Sequence, residues 1–215
     1  MDRRVRPFSL AALVFFSVSP SHLWGAAGTE SAAFLEIPIG ARPAALGGAY
    51  SALASDAYAP TWNPAGLGFV AVPQLAAQHV SYLESVHYDY LSGVLPLAGG
   101  HQALGASAQY LGTGDIPASG PTGASLGTFS SHYAAYALAY GRQILENVSV
   151  GAAAKLINAQ ISNVNANTYA VDAGAMARFH HLTLAAGMAN AGSSLTFLSH
   201  KESPFSRKDG RGVPA

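Results

Sequence analysis

The sequence predicts an all-β fold: an antiparallel transmembrane β-barrel preceded by an N-terminal hatch of short helical turns. Three observations predict it: an export signal, alternating segments of roughly ten residues, and few charges. Only 10% of the 215 residues are charged, against about 25% in soluble domains. Ten residues tilted by about 40° rise roughly 25 Å, the height of the apolar band on an outer-membrane barrel.

Residues 1–27 have the pattern of a secretory signal peptide. Arginines open the chain, an apolar run follows from Phe8 to Val18, and small residues occupy Gly25 to Ala27. The apolar run is shorter than the ~20 residues that a membrane-spanning helix needs. We therefore expect export and, together with the alternating segments, residence in the bacterial outer membrane among its lipids.

Residues 28–72, which we call the hatch, show no strand alternation and are rich in Ala, Gly and Pro. Two runs of small residues, 43–50 and 51–58, predict short helical turns. Asp56 is placed to cap one of them, because a carboxylate accepts hydrogen bonds from free backbone N–H groups.

Period-two alternation begins after the hatch and runs through seven segments. These are residues 74–83, 87–97, 102–112, 131–142, 146–157, 167–179 and 181–190. Tyr169 and Phe179 bracket the apolar face of the sixth segment, as aromatic girdles bracket a barrel wall. The charges Lys155, Asp172 and Arg178 fall on the opposite face, so we predict that they face the lumen.

Connections between the segments support a barrel. If a loop at 158–167 joins the fifth and sixth segments, Lys155 lies opposite Ala170 and diagonal to Asp172. The two longest connections, 113–130 and 158–166, fall on the same side, which suits the external loops of such barrels. A soluble β-sandwich or β-solenoid is the alternative, but it predicts shorter strands and more charge on the exposed face.

Composition and motifs predict a protein that is not an enzyme and holds no metal or cofactor. The chain has no cysteine, its histidines lack zinc-site spacing, and its few basic residues form no stripe for a nucleic acid. Residues 123–127 match G-x-S-x-G around Ser125. A hydrolase using Ser125 is a remote alternative, because that motif needs a strand, a turn and a helix, whereas we expect a glycine-rich loop here.

Residues 32–68 read AAFLEIPIGARPAALGGAYSALASDAYAPTWNPAGLG. This stretch resembles the N-terminal signature of the PorV/PorQ family of FadL-like outer-membrane barrels. The matching positions that we treat as the hatch motif are Gly40, Ala41, Arg42, Gly47, Gly48, Asp56, Trp62, Asn63, Pro64, Ala65 and Gly66. The resemblance implies a 14-stranded barrel in which the hatch folds inward and meets the wall near the Asn-Pro-Ala turn.

The resemblance also implies local roles. Pro64 fixes its own φ and biases Asn63 away from the helical region, and Gly66 permits a tight reversal. Trp62 is either a plug contact inside the lumen or an ordinary interfacial aromatic.

Only seven or eight wall strands fit within residues 73–205, and residues 206–215 form a polar tail. An open half-barrel leaves strand edges unsatisfied in lipid. We therefore expect either that the chain is a fragment or a frameshifted product, or that it does not assemble as a normal barrel. The function that the resemblance implies is a non-enzymatic role in secretion, with secretion-system proteins or secreted cargo as partners. The alternative is a FadL-like channel for hydrophobic small molecules.

Overall fold

The computed structural model describes residues 29–30, 32–82, 85–97, 99–193 and 195–196. The predicted signal peptide and polar tail lie outside these ranges. Most of the described chain is antiparallel β-sheet, which confirms the all-β class. The strands are β1 Thr29–Glu30, β2 Gln74–Ser81, β3 His87–Pro96, β4 Gln102–Gly112, β5 Ile116–Ser119, β6 Ser125–Phe129, β7 Ser131–Leu145, β8 Val148–Ile161, β9 Val164–Arg178, β10 Thr183–Gly192 and β11 Leu195–Thr196.

One seven-stranded sheet contains all seven predicted segments, in the order β10-β9-β8-β7-β4-β3-β2. Every neighbouring pair is antiparallel, and β2 and β10 form the edges of this sheet among the described strands. The short strands β1 and β11 pair separately, and so do β5 and β6. The sheet thus has the strand positions that the alternation predicts.

The predicted loops at 113–130 and 158–167 are wrong in detail, because both contain paired strands. Ile161 pairs with Val164, so β8 and β9 meet at a two-residue turn in which Ser162 has φ 53°. Residues 116–129 form the β5–β6 hairpin. The polar Asn and Gln residues of 158–167 are typical of a loop, which is why the sequence predicted one. In the structure they alternate with buried residues and continue β8 and β9.

Short helices occupy the hatch. They are a 3₁₀ helix at Ala33–Glu36, α1 at Ala41–Ala45, α2 at Ala59–Trp62 and a second 3₁₀ helix at Pro64–Phe69. The helical turns are thus present but displaced from the predicted 43–50 and 51–58. Gly47 and Gly48 take positive φ and end α1 early. Among the described residues, no helix is both long and apolar enough to cross a membrane.

The hatch packs on one face of the sheet, which we call the hatch face; the opposite face is the outer face. Near β1, Phe34 lies in a buried cluster with Ile157 and small alanines of β7 to β9. Farther along the hatch, Leu67 and Val70 pack against Val94 and nearby alanines. Side chains alternate in burial along each strand as expected: in β8, Ser149 and Ile157 are buried whereas Val150 and Leu156 are exposed.

Candidate functional site between the hatch and the sheet

The Asn-Pro-Ala turn lies on a row of glycines that crosses three neighbouring strands. Gly141, Gly151 and Gly174 pair with one another in register across β7, β8 and β9. A Cβ atom on Gly141 or Gly151 would lie 2.3 Å from the carbonyl oxygen of Pro64. Because that separation is far below van der Waals contact, each of these positions requires glycine for close backbone approach.

Hydrogen bonds fix this turn on the sheet. The buried Ser149 hydroxyl donates to the carbonyl oxygen of Ala65 over 2.6 Å. Asn63 caps the following 3₁₀ helix, since its Oδ1 accepts from the N–H of Ala65 at 3.1 Å, and its Nδ2 donates to the carbonyl oxygen of Ser51 at 3.1 Å. The turn is therefore anchored both to the wall and to the rest of the hatch.

The backbone of Asn63 is extended, with φ −163° and ψ 102°, which confirms the predicted effect of Pro64. The predicted reason for Gly66 is wrong. Its φ lies outside the left-handed region, and a Cβ atom there would lie 1.5 Å from the carbonyl oxygen of Ala54. Gly66 is needed because another hatch segment crosses it closely.

Two glutamine side chains of β2 hold the hatch at the other side of the sheet. The N–H of Gly40 donates to Gln78 Oε1 at 2.6 Å, and the N–H of Ala57 donates to Gln74 Oε1 at 3.0 Å. Both amides therefore satisfy backbone groups that no helix or strand would satisfy. Sequence reasoning missed them, although Gln at two inward positions of one strand was a usable signal.

Asp56, Tyr50, Arg42 and Trp62 form a small network inside the hatch. The Tyr50 hydroxyl donates to Asp56 Oδ2, and Asp56 Oδ1 accepts from the N–H of Tyr58 at 2.9 Å. Arg42 lies 5.7 Å from the Tyr50 ring centroid, and Trp62 meets that ring edge-on. Burial and then the hydrogen bond to Asp56 raise the pKa of Tyr50 to about 12.

Trp62 makes its contacts within the hatch. Its indole N–H donates to the carbonyl oxygen of Ile39 at 3.0 Å, and Gly48 lies against the far edge of the ring. These contacts link the second half of the hatch to its first half. Of the hatch-motif residues, Ala41 and Arg42 are exposed at the start of α1.

Lys155 and Asp172 form a buried ion pair on the hatch face. Lys155 Nζ lies 2.7 Å from Asp172 Oδ2, and both side chains are at most 3% exposed. The register puts Lys155 opposite Ala170, as predicted. Asn190, which lies at a bulge in β10 with φ 57°, completes the set: its N–H donates to Asp172 Oδ1 at 2.7 Å, and its Oδ1 accepts from Lys155 at 2.7 Å.

Asp172 Oδ2 makes no hydrogen bond of good geometry, so its charge is balanced by the ion pair with Lys155. The third predicted charge lies apart from this pair. The Arg178 guanidinium lies over the Phe69 ring, 4.1 Å from its centroid, and thus contacts the last residue of the hatch 3₁₀ helix. All three charges are on the hatch face.

A cavity of about 300 Å³ separates the hatch from the sheet beside the ion pair. Its apolar lining includes Leu35, Ile37 and Ile39, and its polar lining consists of Glu36, Ser51, Thr61, Lys155 and Asn190. The hatch and the sheet therefore meet closely at the glycine row and leave space near the ion pair.

A protein-family model of the uncharacterised protein family UPF0164 matches residues 25–200, which include both the hatch and the sheet. The chain belongs to UPF0164. The search of curated proteins found no match. For this UPF0164 member, the resemblance of the hatch to PorV/PorQ proteins stays a prediction.

The remaining candidate chemistry lies away from this site. Ser125 opens β6 in an exposed hairpin, where its hydroxyl accepts a hydrogen bond from the N–H of Gly127 at 3.5 Å. The predicted loop is therefore a hairpin, and the strand, turn and helix of a nucleophile elbow are absent from residues 116–129. In the described ranges, no group of three or more His, Cys, Asp or Glu residues is placed to hold a metal ion.

Proposed function

We propose that this chain is an outer-membrane β-barrel protein of the PorV/PorQ type, in which the hatch occupies the interior and the protein serves secretion or transport. The observation that carries the proposal is the chemistry of the outer face. Large apolar side chains are exposed there on strand after strand: Leu75, Leu91, Leu95, Leu104, Leu138, Leu156, Val171, Leu184 and Met188.

This exposure needs an explanation, because soluble proteins do not expose apolar surface over a whole sheet face. The hatch covers the other face, so the sheet already has its core. Lipid is the environment that suits the second apolar face.

The apolar band of the outer face ends at a defined level near the end of β8. On β8 the outer residues run from Val148 to Leu156 and then change to Asn158 and Gln160. Asn158 Nδ2 donates to Asn167 Oδ1 at 2.6 Å across to β9. Val148 to Leu156 covers roughly 26 Å along the strand, or about 20 Å of height at the usual tilt.

Aromatic residues lie at the edges of this band. Tyr169 pairs with Leu156 just below the asparagines, and Tyr136 pairs with Leu156 on the other side. Phe179, exposed after the end of β9, marks the opposite edge. This arrangement suits two interfacial girdles.

Cysteine labelling tests the proposal. Because the chain has no cysteine, a single introduced cysteine is the one thiol in it that a maleimide can label. We expect Ser162→Cys, in the β8–β9 turn, to react with a membrane-impermeant maleimide on intact cells. Asn147→Cys, in the β7–β8 turn, should react only after the outer membrane is permeabilised. Ala152→Cys, within the band, should resist the reagent in both states until the protein is denatured.

Equal labelling of Ser162→Cys and Asn147→Cys in a soluble fraction would contradict the proposal. The membrane fraction also gives an independent readout: a closed barrel migrates differently on a gel when it is not boiled. Identical mobility of boiled and unboiled samples would contradict barrel closure alone.

The channel is a second candidate, and the cavity beside Lys155 favours it. Its apolar side chains, with polar groups beside them, suit a hydrophobic molecule passing the hatch. Uptake of hydrophobic compounds by cells should then fall when Ile37→Trp fills the cavity. A secretion role predicts instead that secreted proteins co-purify with the chain and that the same variant leaves their export unchanged.

A further inference from the structure

On the outer face of the β2–β3 hairpin, a histidine is hydrogen-bonded to a serine on one side and to an aspartate on the other. His79 Nδ1 is 2.6 Å from Asp89 Oδ1, and His79 Nε2 is 3.1 Å from the Ser81 hydroxyl. With the proton on Nδ1, the ring donates to Asp89 and accepts from Ser81. This is the connectivity by which a base activates a serine nucleophile and a carboxylate orients the base.

Strand geometry explains why these side chains meet. The N–H of Tyr82 donates to the carbonyl oxygen of Val86 at 2.8 Å, which fixes the alternation of the ladder. His79 and Asp89 then form a non-hydrogen-bonded pair, the type in which facing side chains lie closest. Ser81 follows two residues after His79 and so points to the same face.

A groove of about 470 Å³ lies against His79 and Asp89. Its apolar lining comes from the outer face: Ala77, Leu91, Ala108, Tyr110 and Tyr136. The groove extends from the polar end of the outer face toward the apolar band. An acyl chain lying there would bring its ester group to His79, whose Nε2 lies 3.1 Å from the Ser81 hydroxyl.

We propose that Ser81, His79 and Asp89 form a serine esterase site for acyl esters of membrane lipids. Ser81 Oγ bonds to the ester carbonyl carbon while its proton passes to His79 Nε2. The ester C–O bond then breaks and the alcohol leaves with that proton. Water next attacks the acyl-serine, again losing a proton to His79, and releases the fatty acid and free Ser81.

The lipid assignment rests on the proposed membrane location, whereas the assignment of Ser81, His79 and Asp89 as a triad does not.

The prediction that the chain is not an enzyme conflicts with this proposal. That prediction rested on the absence of cysteine, the spacing of the histidines and the loop expected around G-x-S-x-G. A His-x-Ser pair on one strand, followed by Asp on the next, is the sequence signal that it missed.

Two substrates separate the triad from its membrane setting. The full chain in detergent micelles is assayed with p-nitrophenyl butyrate, a water-soluble ester, and with phosphatidylcholine in mixed micelles. We expect Ser81→Ala to lower hydrolysis of both by at least about 100-fold. Ser125→Ala, the other exposed candidate nucleophile, is the matched control and should retain full activity.

Covalent labelling gives a readout besides turnover. A fluorophosphonate probe should label Ser81, as mapped by peptide mass, and labelling should vanish in Ser81→Ala and His79→Gln but persist in Ser125→Ala. Asp89 acts as a positioning residue, so Asp89→Asn should lower kcat for the butyrate ester and leave KM unchanged. Circular dichroism of each variant verifies its fold.

Absence of labelling and hydrolysis in the folded chain would overturn the proposal, and so would activity that survives in Ser81→Ala. Hydrolysis of the butyrate ester by Ser81 without any phospholipid cleavage would overturn the lipid assignment alone. The cysteine labelling of whole cells then decides separately whether the membrane location itself is at fault.

Discussion

The two faces of the seven-stranded sheet differ in what covers them, because the hatch packs on one face while the other is exposed. The hatch face carries glycines, alanines and the buried Lys155–Asp172 pair, whereas the outer face carries exposed Leu, Val and Tyr side chains. On the hatch face, small residues let the hatch backbone approach the sheet, as at Gly151. At the glycine row the hatch backbone therefore lies directly on the sheet, whereas apolar clusters around Phe34 and Leu67 fill the space elsewhere.

Breaking the buried ion pair should have the largest effect on the hatch face. Lys155→Met leaves Asp172 buried without its counter-charge, so we expect the free energy of unfolding to fall by about 3–5 kcal/mol. Urea unfolding of the folded protein in detergent measures it. The matched control is the double variant Lys155→Met/Asp172→Leu, which should recover most of the loss. If the double variant is as unstable as the single one, the loss does not come from an uncompensated buried charge.

A charge on the outer face should cost nearly as much, if that face meets lipid. Ala152 lies in the middle of the band on β8, and Asn158 lies beyond it on the same strand and the same face. Ala152→Arg should lower stability in bilayers by about 2–4 kcal/mol, whereas Asn158→Arg should cost about 0–1 kcal/mol. Equal costs at the two positions would contradict the membrane proposal.

How far the sequence predicts this structure differs between the two faces. Period-two alternation placed seven strands and put Lys155 opposite Ala170, because the polarity of a side chain reports directly on which face it occupies. The same rule failed at 158–167, where a loop was predicted although Asn158 and Gln160 belong to β8. The strand extends beyond the apolar band there, so its exposed residues are polar and the apolar alternation ends before the strand does.

The hatch site was less predictable. The motif residues Trp62, Asn63 and Pro64 were found from the resemblance, but their partners were not. Gly141, Gly151 and Gly174 act together only through register, and register cannot be read from separate segments. Asn190 bonds to Lys155 and Asp172 from a bulge, a local irregularity that alternation does not reveal.

The glycine row should tolerate no side chain. In Gly151→Ala the new Cβ atom would meet the Pro64 backbone at 2.3 Å, so we expect a loss of about 1–3 kcal/mol from overpacking. Gly93→Ala is the matched control on the outer face, where the nearest atom, of Leu75, lies at 3.8 Å. Limited proteolysis should release the hatch faster only in Gly151→Ala. Equal protection of both variants would mean that the Asn-Pro-Ala turn is not held on the sheet as described.

The smallest effect is expected within the turn itself. Asn63→Ala removes the cap on the N–H of Ala65 and the bond to Ser51, and loss of such a cap typically costs about 0.5–2 kcal/mol. Asn63→Asp keeps an oxygen to accept from Ala65 but loses the Nδ2 donor, so its stability should lie between those of the wild type and Asn63→Ala. Urea unfolding ranks the three proteins. If Asn63→Asp is as unstable as Asn63→Ala, the bond to Ser51 and not the cap holds the turn. The hatch would then depend on the close approach of its own segments at Ala54 and Gly66 more than on its contact with the sheet.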